Sequence, residues 1–302
     1  MKTIPLVVHI LYNTPEQNIS DAQINSQVTI LNQDFSRTNP DASKTPSAFS
    51  GVASNSSIQF CLVKVIRKQT NVKEFINDNA IKFCKTGGSD ALDVKKYMNV
   101  WVGKLGGGLL GYGEFPNTKP SNTYGVVINY QAFGNMGTAR SPYNKGRTLT
   151  HEMGHCFSLY HIFEEGVNLQ SCKKTDYVLD IPTQSTRNFG CPSFPHTEKC
   201  AYNPPGVMFM NFLDYTDDAC MNIFTKDQSA RMNATLSIAP YDKLATTGCV
   251  KNEDEIKCDA SPSNKEFLSW KSYFNWKNIL IGIGIITLIV IIVVVLKKKK
   301  II

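Results

Sequence analysis

Apolar positions along the first part of the chain follow two periods. Residues 4–11, IPLVVHIL, are a nearly continuous apolar run and predict a first strand. After it, Ile24, Val28, Leu31 and Phe35 recur at steps of four, three and four, the spacing of one helical face. Ser20 and Asp21 stand where a cap is needed, so a helix is predicted over residues 21–36. Residues 58–66 and 97–102 read as a second and a third strand. Residues 124–130, YGVVINY, read as a further strand, placed at the sheet edge where an extended peptide can pair with it. The stretch GGGLLGYGEFP, from Gly106 on, reads as a flexible turn, because no GK[ST] follows to make it a phosphate cradle. Helices are predicted over residues 147–158 and 225–238. Between them, residues 164–215 are rich in Pro, Cys, Asn and Thr and show little periodicity, so this segment needs cross-links to hold a shape. No internal repeat is visible.

Composition changes the picture near the end of the chain. Residues 249–277 turn polar and charged and read as a stalk. Residues 279–296 then run for 18 positions without a charge, about 27 Å of helix, close to the thickness of a bilayer core. Trp270 and Trp276 precede this run and Lys297, Lys298, Lys299 and Lys300 follow it, as at a membrane span with a cytoplasmic tail. The expected organisation is a folded domain over 1–248, a stalk over 249–277, a transmembrane helix over 278–296 and a basic tail over 297–302. The lysine run also accounts for much of the net charge of +7. No basic stripe with interleaved aromatics occurs elsewhere, so nucleic acid is excluded as a partner and a lipid bilayer is expected.

Nine cysteines point to an oxidising compartment. Cys172, Cys191, Cys200 and Cys220 fall in the aperiodic stretch without CxxC spacing, which favours disulfides over a structural zinc knot. The odd total leaves at least one thiol free or paired between molecules, and Cys156 reads as a packed free thiol. Asn18, Asn55 and Asn233 open N-x-S/T triplets that permit glycosylation. The N-terminal run is broken by Pro5 and His9 and lacks a cleavage site, so it reads as a strand, not a signal peptide, and no pro-segment is visible. Together with the lysine tail, the cysteines favour the non-cytosolic side for the folded domain, with insertion as a tail-anchored protein and a cytosolic domain as the alternative.

The chemistry is concentrated in residues 151–161, HEMGHCFSLYH. His151 and His155 are four apart on a predicted helix and project from one face, so they can share a metal. His161 lies off that face. The helix must end near Ser158 and the chain must turn back to present it. Three neutral imidazoles with one open position describe a catalytic zinc site. Glu152 is then placed as general base toward an attacking water. His9 and His196 are expected to be structural.

The pattern HExxHxxGxxH defines metzincins, and this sequence departs from it at one position. NFLDYTDDACMNIFTKDQSARM, residues 211–232, resembles the Met-turn region of the pappalysin family, as do IPLVVHILYN, MNVWV, GGGLLGYGEFP and TDYVLDIPTQ with theirs. The resemblance spans residues 3–238. It implies an α+β metzincin-like fold: a twisted sheet with a backing helix and an active-site helix, above an irregular disulfide-stapled lower subdomain, with zinc in the cleft between. It also implies zinc-dependent endopeptidase activity on protein or peptide substrates. Tyr215 then donates a hydrogen bond to the oxyanion, and Asp218 selects Arg or Lys just after the cut. Leu213 stands at the Met-turn position. The implied disulfides are Cys172–Cys200 and Cys191–Cys220, and a structural calcium ion is implied near Asp180. Ser158 replaces the pattern's glycine, where a left-handed turn is expected, and Leu213 replaces its methionine with little change of volume. The alternative expectation is a catalytically silent relative serving as a membrane or virion binding protein, and a zinc enzyme acting on a non-peptide bond ranks third.

Overall fold

The computed structural model describes residues 1–119, 121–165 and 171–250. The stalk beyond residue 250, the expected membrane span and the tail lie outside the described residues. Among the described residues no helix is long and apolar enough to cross a membrane.

Five strands form one sheet in the order β2-β1-β3-β5-β4: β1 (Lys2–Tyr12), β2 (Ile58–Gln69), β3 (Met98–Gly103), β4 (Gly111–Gly113) and β5 (Gly125–Asn129). The pairs β1–β2, β1–β3 and β3–β5 are parallel, and β4 pairs antiparallel with β5. Residues 4–11 are all buried, which explains why their sequence is a continuous apolar run instead of an alternating one: both faces of β1 are covered. On one face Val100, Val102, Val126 and Ile128 join a large core with Ile24, Leu31 and Phe35. On the other, Leu11, Trp101, Val127, Phe75, Ile81 and Leu105 form a smaller one. His9 sits inside the sheet, hydrogen-bonded to Ser89 and Asn99 at 2.9 Å each and stacked on Trp101, the structural role expected of it.

The sheet corrects one expectation. The strand of residues 124–130 is not the edge, because β5 lies between β3 and β4. The edge is β4, inside the glycine-rich stretch that reads as a turn. Three residues with two glycines are too short and too poor in strand formers to announce themselves, and only pairing with β5 makes them extended. Gly113 must be glycine: a Cβ there would stand 2.5 Å from the Glu152 carbonyl oxygen. β4 therefore lies against the backbone of the helix that follows.

Helix α1 (Asp21–Ser36) starts where Ser20 Oγ accepts from the Gln23 N–H at 3.2 Å and backs the sheet. Its buried glutamines also hold the path to the site. Gln23 Nε2 donates to Phe133 O at 2.8 Å, Gln27 Nε2 donates to Gly146 O at 3.0 Å, and Gln27 Oε1 accepts from Gly134 N at 2.6 Å. After a one-turn helix, α2 (Ser47–Ser50), the remaining helices are α3 (Arg147–Cys156), α4 (Lys226–Thr235) and α5 (Asp242–Thr246). Thr225 caps α4 with a capping box to Gln228.

Residues 157–224 contain no helix or strand longer than an isolated bridge among the described residues. Two disulfides hold them, Cys172–Cys200 and Cys191–Cys220, the pairs that the resemblance implies, with Cα atoms 5.2 and 5.7 Å apart. A third, Cys61–Cys249, ties β2 to the first residue of the expected stalk. Buried carboxylates organise the loops between them. Asp214 alone accepts from Asn188 N (2.9 Å), Asn188 Nδ2 (2.7 Å), Gln184 Nε2 (2.9 Å) and Tyr215 N (2.8 Å). Asp180 spends both carboxylate oxygens on the start of α4, accepting from Thr225 Oγ1 at 2.8 Å and from Asp227 N at 2.9 Å.

Candidate active site

Helix α3 carries His151, Glu152 and His155, and its N-terminus is fixed from three directions. Asp218 Oδ2 accepts from the N–H groups of Lys145 (2.7 Å) and Arg147 (3.2 Å), placing a carboxylate where the helix dipole favours one. Arg147 is buried and ion-pairs with Asp34 of α1 and with Asp41, each at 3.0 Å, while Nη1 donates to Met221 O at 3.0 Å. Thr150 Oγ1 donates to Asp34 Oδ2 at 2.6 Å. Burial pushes the Asp34 carboxyl up to about 7, and Arg147, then Thr150, pull it back.

The helix stops as the histidine spacing requires. Ser158 takes φ +70°, and the Leu159 N–H reaches back to Gly154 O at 2.9 Å. A side chain in the left-handed region is strained. Here Thr235 Oγ1 donates to Ser158 Oγ at 2.8 Å and Arg231 Nε donates to Ser158 O at 2.6 Å, both from α4. Serine at this position is thus tied down by a neighbouring helix, and the reversal brings His161 back to the helix.

The three imidazoles converge. Their Nε2 atoms lie 3.0 Å (His151–His155), 3.0 Å (His151–His161) and 3.1 Å (His155–His161) apart. Each Nδ1 is held elsewhere: His151 by Phe212 O at 2.7 Å, His155 by Leu159 O at 2.7 Å, His161 by the Glu165 carboxylate. The two carbonyls fix protonated Nδ1 on His151 and His155, so their Nε2 lone pairs face inward. Burial lowers the pKa of both rings, His155 to about 4, so a shared proton does not resolve the clash of lone pairs. A cation does. Three imidazole nitrogens facing one point fit zinc, and among the described residues this is the one group of three His, Cys, Asp or Glu side chains gathered for a metal. Among the described residues no such group of side chains forms at Asp180.

Glu152 is partly open to the cleft beside these rings. Burial raises its carboxyl to about 8, against the pull of the Gly113 backbone N–H. A cation at the imidazoles would pull it back down. Leu213 is fully buried and its Cδ2 lies 3.2 Å from where a Cβ on Gly154 would stand, forming an apolar floor between the two helix histidines. The Tyr215 ring packs at 4.9 Å from His161 and 5.7 Å from His151. Burial raises its phenol pKa, so it stays a hydrogen-bond donor. Cys156, one helical turn after Glu152, is fully buried, and burial holds its thiol far above the ordinary value. It is a packed thiol and not a reactive one.

Beside the rings a cavity of about 250 Å³ is lined by Leu109, Tyr143, Thr148, Glu152, Tyr215 and Asp218 among others. Asp218 is 1% exposed, and burial raises its carboxyl to about 6. Both of its hydrogen bonds go to Oδ2, and Oδ1 accepts none among the described residues.

Several members of this arrangement are invisible in the sequence. Nothing in it singles out Arg147, Asp34 and Asp41 as one cluster, or Gly113 as the contact to the helix. Glu165 sits four residues after His161, a spacing that could have suggested it as a partner.

Comparison with known proteins agrees with this geometry. Residues 84–237 match the family model described as pregnancy-associated plasma protein-A. An extracellular metalloprotease of Arthroderma benhamiae is 33% identical over 239 residues, covering 76% of each chain. One from Pyricularia oryzae is 30% identical over 238 residues, covering 77% of this chain and 74% of its own. Among solved structures, mature mirolysin of Tannerella forsythia in complex with a cleaved peptide superposes with a TM-score of 0.79. It is 46% identical and covers 83% of this chain and 98% of its own.

Proposed function

We propose that this chain, which belongs to the pregnancy-associated plasma protein-A or pappalysin family of metalloproteases, is a zinc-dependent endopeptidase that cuts before basic residues. The observation that carries the reading is the convergence of three Nε2 atoms within 3.1 Å, each ring anchored through Nδ1, with Glu152 beside them. His151, His155 and His161 would hold the ion. When bound, zinc supplies Lewis acidity toward water and toward a peptide carbonyl. Glu152 takes the proton of the attacking water at its carboxylate and passes it to the leaving amine. The Tyr215 phenol donates to the carbonyl oxygen as charge develops there. The outer edge of β4, not β5, offers backbone groups to an extended peptide. Asp218, with one carboxylate oxygen left over at the cavity, selects Arg or Lys after the cut.

The disulfides and the extracellular metalloproteases among the relatives support a folded domain on the non-cytosolic side. The uncharged residues 279–296 support attachment to a bilayer. A chain recovered wholly in the supernatant after alkaline extraction of membranes would overturn that attachment.

The test of activity uses the full chain folded under oxidising conditions and loaded with zinc. It is incubated with a mixed peptide library, and the cut sites are read by mass spectrometry. Cleavage is expected to be abolished by a zinc chelator and lowered about 10²–10⁴-fold by Glu152→Ala. Arg and Lys are expected after the cuts. A folded, zinc-loaded chain that cuts nothing overturns the proposal.

A further inference from the structure

Next to His155, and outside the lining of the Asp218 cavity, three aromatic rings form an exposed ledge that the chemistry above does not use. Phe115 follows β4 by two residues, and its ring lies 5.2 Å from His155 and 4.9 Å from Tyr160. Tyr160 continues to Tyr177 at 5.0 Å. The three side chains are 36%, 39% and 68% exposed, whereas most large apolar side chains near them are buried. Arg231 of α4 places its guanidinium 5.3 Å from the centre of the Tyr160 ring and 5.5 Å from that of Tyr177. Its Nε is fixed by the bond to Ser158 O. One face of the ledge is thereby braced, and the residue that braces it also holds the turn that presents His161. Tyr177 sits at φ +57°, a strained conformation for a bulky residue that is 68% exposed.

We infer that this ledge is a specificity surface for aromatic residues of the substrate on the N-terminal side of the cut. The inference rests on the peptidase reading. Its direction comes from the two ends of the edge strand. The cavity of Asp218 is lined by Gly108–Gly111, before and at the start of β4, and Phe115 comes just after its end. A peptide with the residue after its cut in the Asp218 cavity and the earlier residues beyond His155 runs antiparallel to β4, which suits pairing along that edge. The residues before the cut then pass over Phe115, Tyr160 and Tyr177. An extended peptide advances about 3.3 Å per residue, so ring steps of 4.9 and 5.0 Å face about three residues. The open ring faces favour aromatic side chains through offset or edge contacts, at lower ordering cost than long flexible ones.

The test compares two peptide series with Arg after the cut and either Phe or Ala at the second and third positions before it. With the full zinc-loaded chain, kcat/KM is expected to favour the Phe series about three- to tenfold, mainly through KM. In the double variant Tyr160→Ala and Tyr177→Ala the ratio is expected to fall toward one. In Tyr160→Phe and Tyr177→Phe, which keep the rings, the ratio should persist. A second measurement titrates both series into Glu152→Ala by fluorescence anisotropy, where the Phe series should bind several-fold tighter. Equal kcat/KM for the two series, with chelator-sensitive cleavage intact, overturns the ledge and leaves the peptidase reading standing. Failure to cut any peptide overturns the peptidase reading. The anisotropy ratio then decides the ledge separately, equal affinities overturning it and unequal ones supporting it.

Discussion

The sheet with α1 and α3, and the loops of residues 157–224, meet at the same three imidazoles but are built by different means. In the first region, parallel strands and apolar side chains on both faces do most of the work, and polar groups are mainly caps and a few buried glutamines. In the second, regular backbone pairing is nearly absent, and two disulfides and buried carboxylates such as Asp214 take its place. The division extends to the chemistry. The helix of the first region supplies two imidazoles and the Glu152 carboxyl, the proposed base, at fixed helical spacing. The second supplies His161, Tyr215 and Asp218, whose positions depend on loop geometry. Under the proposed function, two of the three metal ligands and proton transfer rest on the region with its own core, and the third ligand, the oxyanion donor and selectivity on the stapled one. Arg147 joins the two, because its guanidinium reaches Asp34 of α1 and the Met221 carbonyl at once.

This comparison can be sharpened. Loss of Glu152 strikes the helical region's contribution and has the largest effect, as given above. Tyr215→Phe removes one donor from the looped region. It is expected to lower kcat by about 10²-fold with zinc content unchanged, as measured by steady-state kinetics and metal analysis, because the ligands do not move. A fall as large as that of Glu152→Ala would show that the loops carry the chemistry too. Replacing Cys191 and Cys220 together by Ser removes a staple whose ends are 29 residues apart and is expected to cost about 2–4 kcal/mol of stability. Hydrogen exchange should rise in residues 185–222 well before it rises in β1 and β3. Uniform loss of protection would refute the separation. The smallest effect concerns pH. Asp218 has its carboxyl raised to about 6, so it carries charge above that value and loses it below. Preference for an Arg peptide over a Met peptide should therefore grow as pH rises from 5 to 7, by a few-fold. The linkage sign runs the other way for stability. A carboxyl raised from its ordinary value contributes stability that is present below about 4 and lost as pH rises through about 6. Increasing selectivity with slightly falling stability over that window is the combined signature.

Local order was legible wherever one short-range rule decides it. The cap at Ser20, the helical stripe from Ile24 to Phe35, the apolar run of β1 and the four-residue spacing of His151 and His155 each depend on a few neighbouring residues. The structure keeps them as read. It also keeps the helix end near Ser158, which a third histidine six residues after the second requires, and the left-handed turn there that the resemblance implies. Strand order was not legible in the same way. The strand of residues 124–130 reads as an edge that a peptide could pair with, whereas the edge is β4, which does not read as a strand at all, since its extension comes from a partner 15 residues downstream of its midpoint (Tyr112 opposite Val127).

The sequence by itself therefore determined which side chains could gather for a metal, the carboxyl beside them, the helix that holds them and the cysteines that staple the loops. Those features follow from side-chain type and spacing, which the chain carries wherever it folds. Tertiary structure alone decided which strand faces the cleft, that Asp218 both caps α3 and faces the cavity, that Thr235 and Arg231 secure the turn at Ser158, and that Phe115, Tyr160 and Tyr177 align beside the imidazoles. Each of these joins residues far apart in the chain. Such contacts form only once the core has fixed the distances between elements, and no local period encodes them.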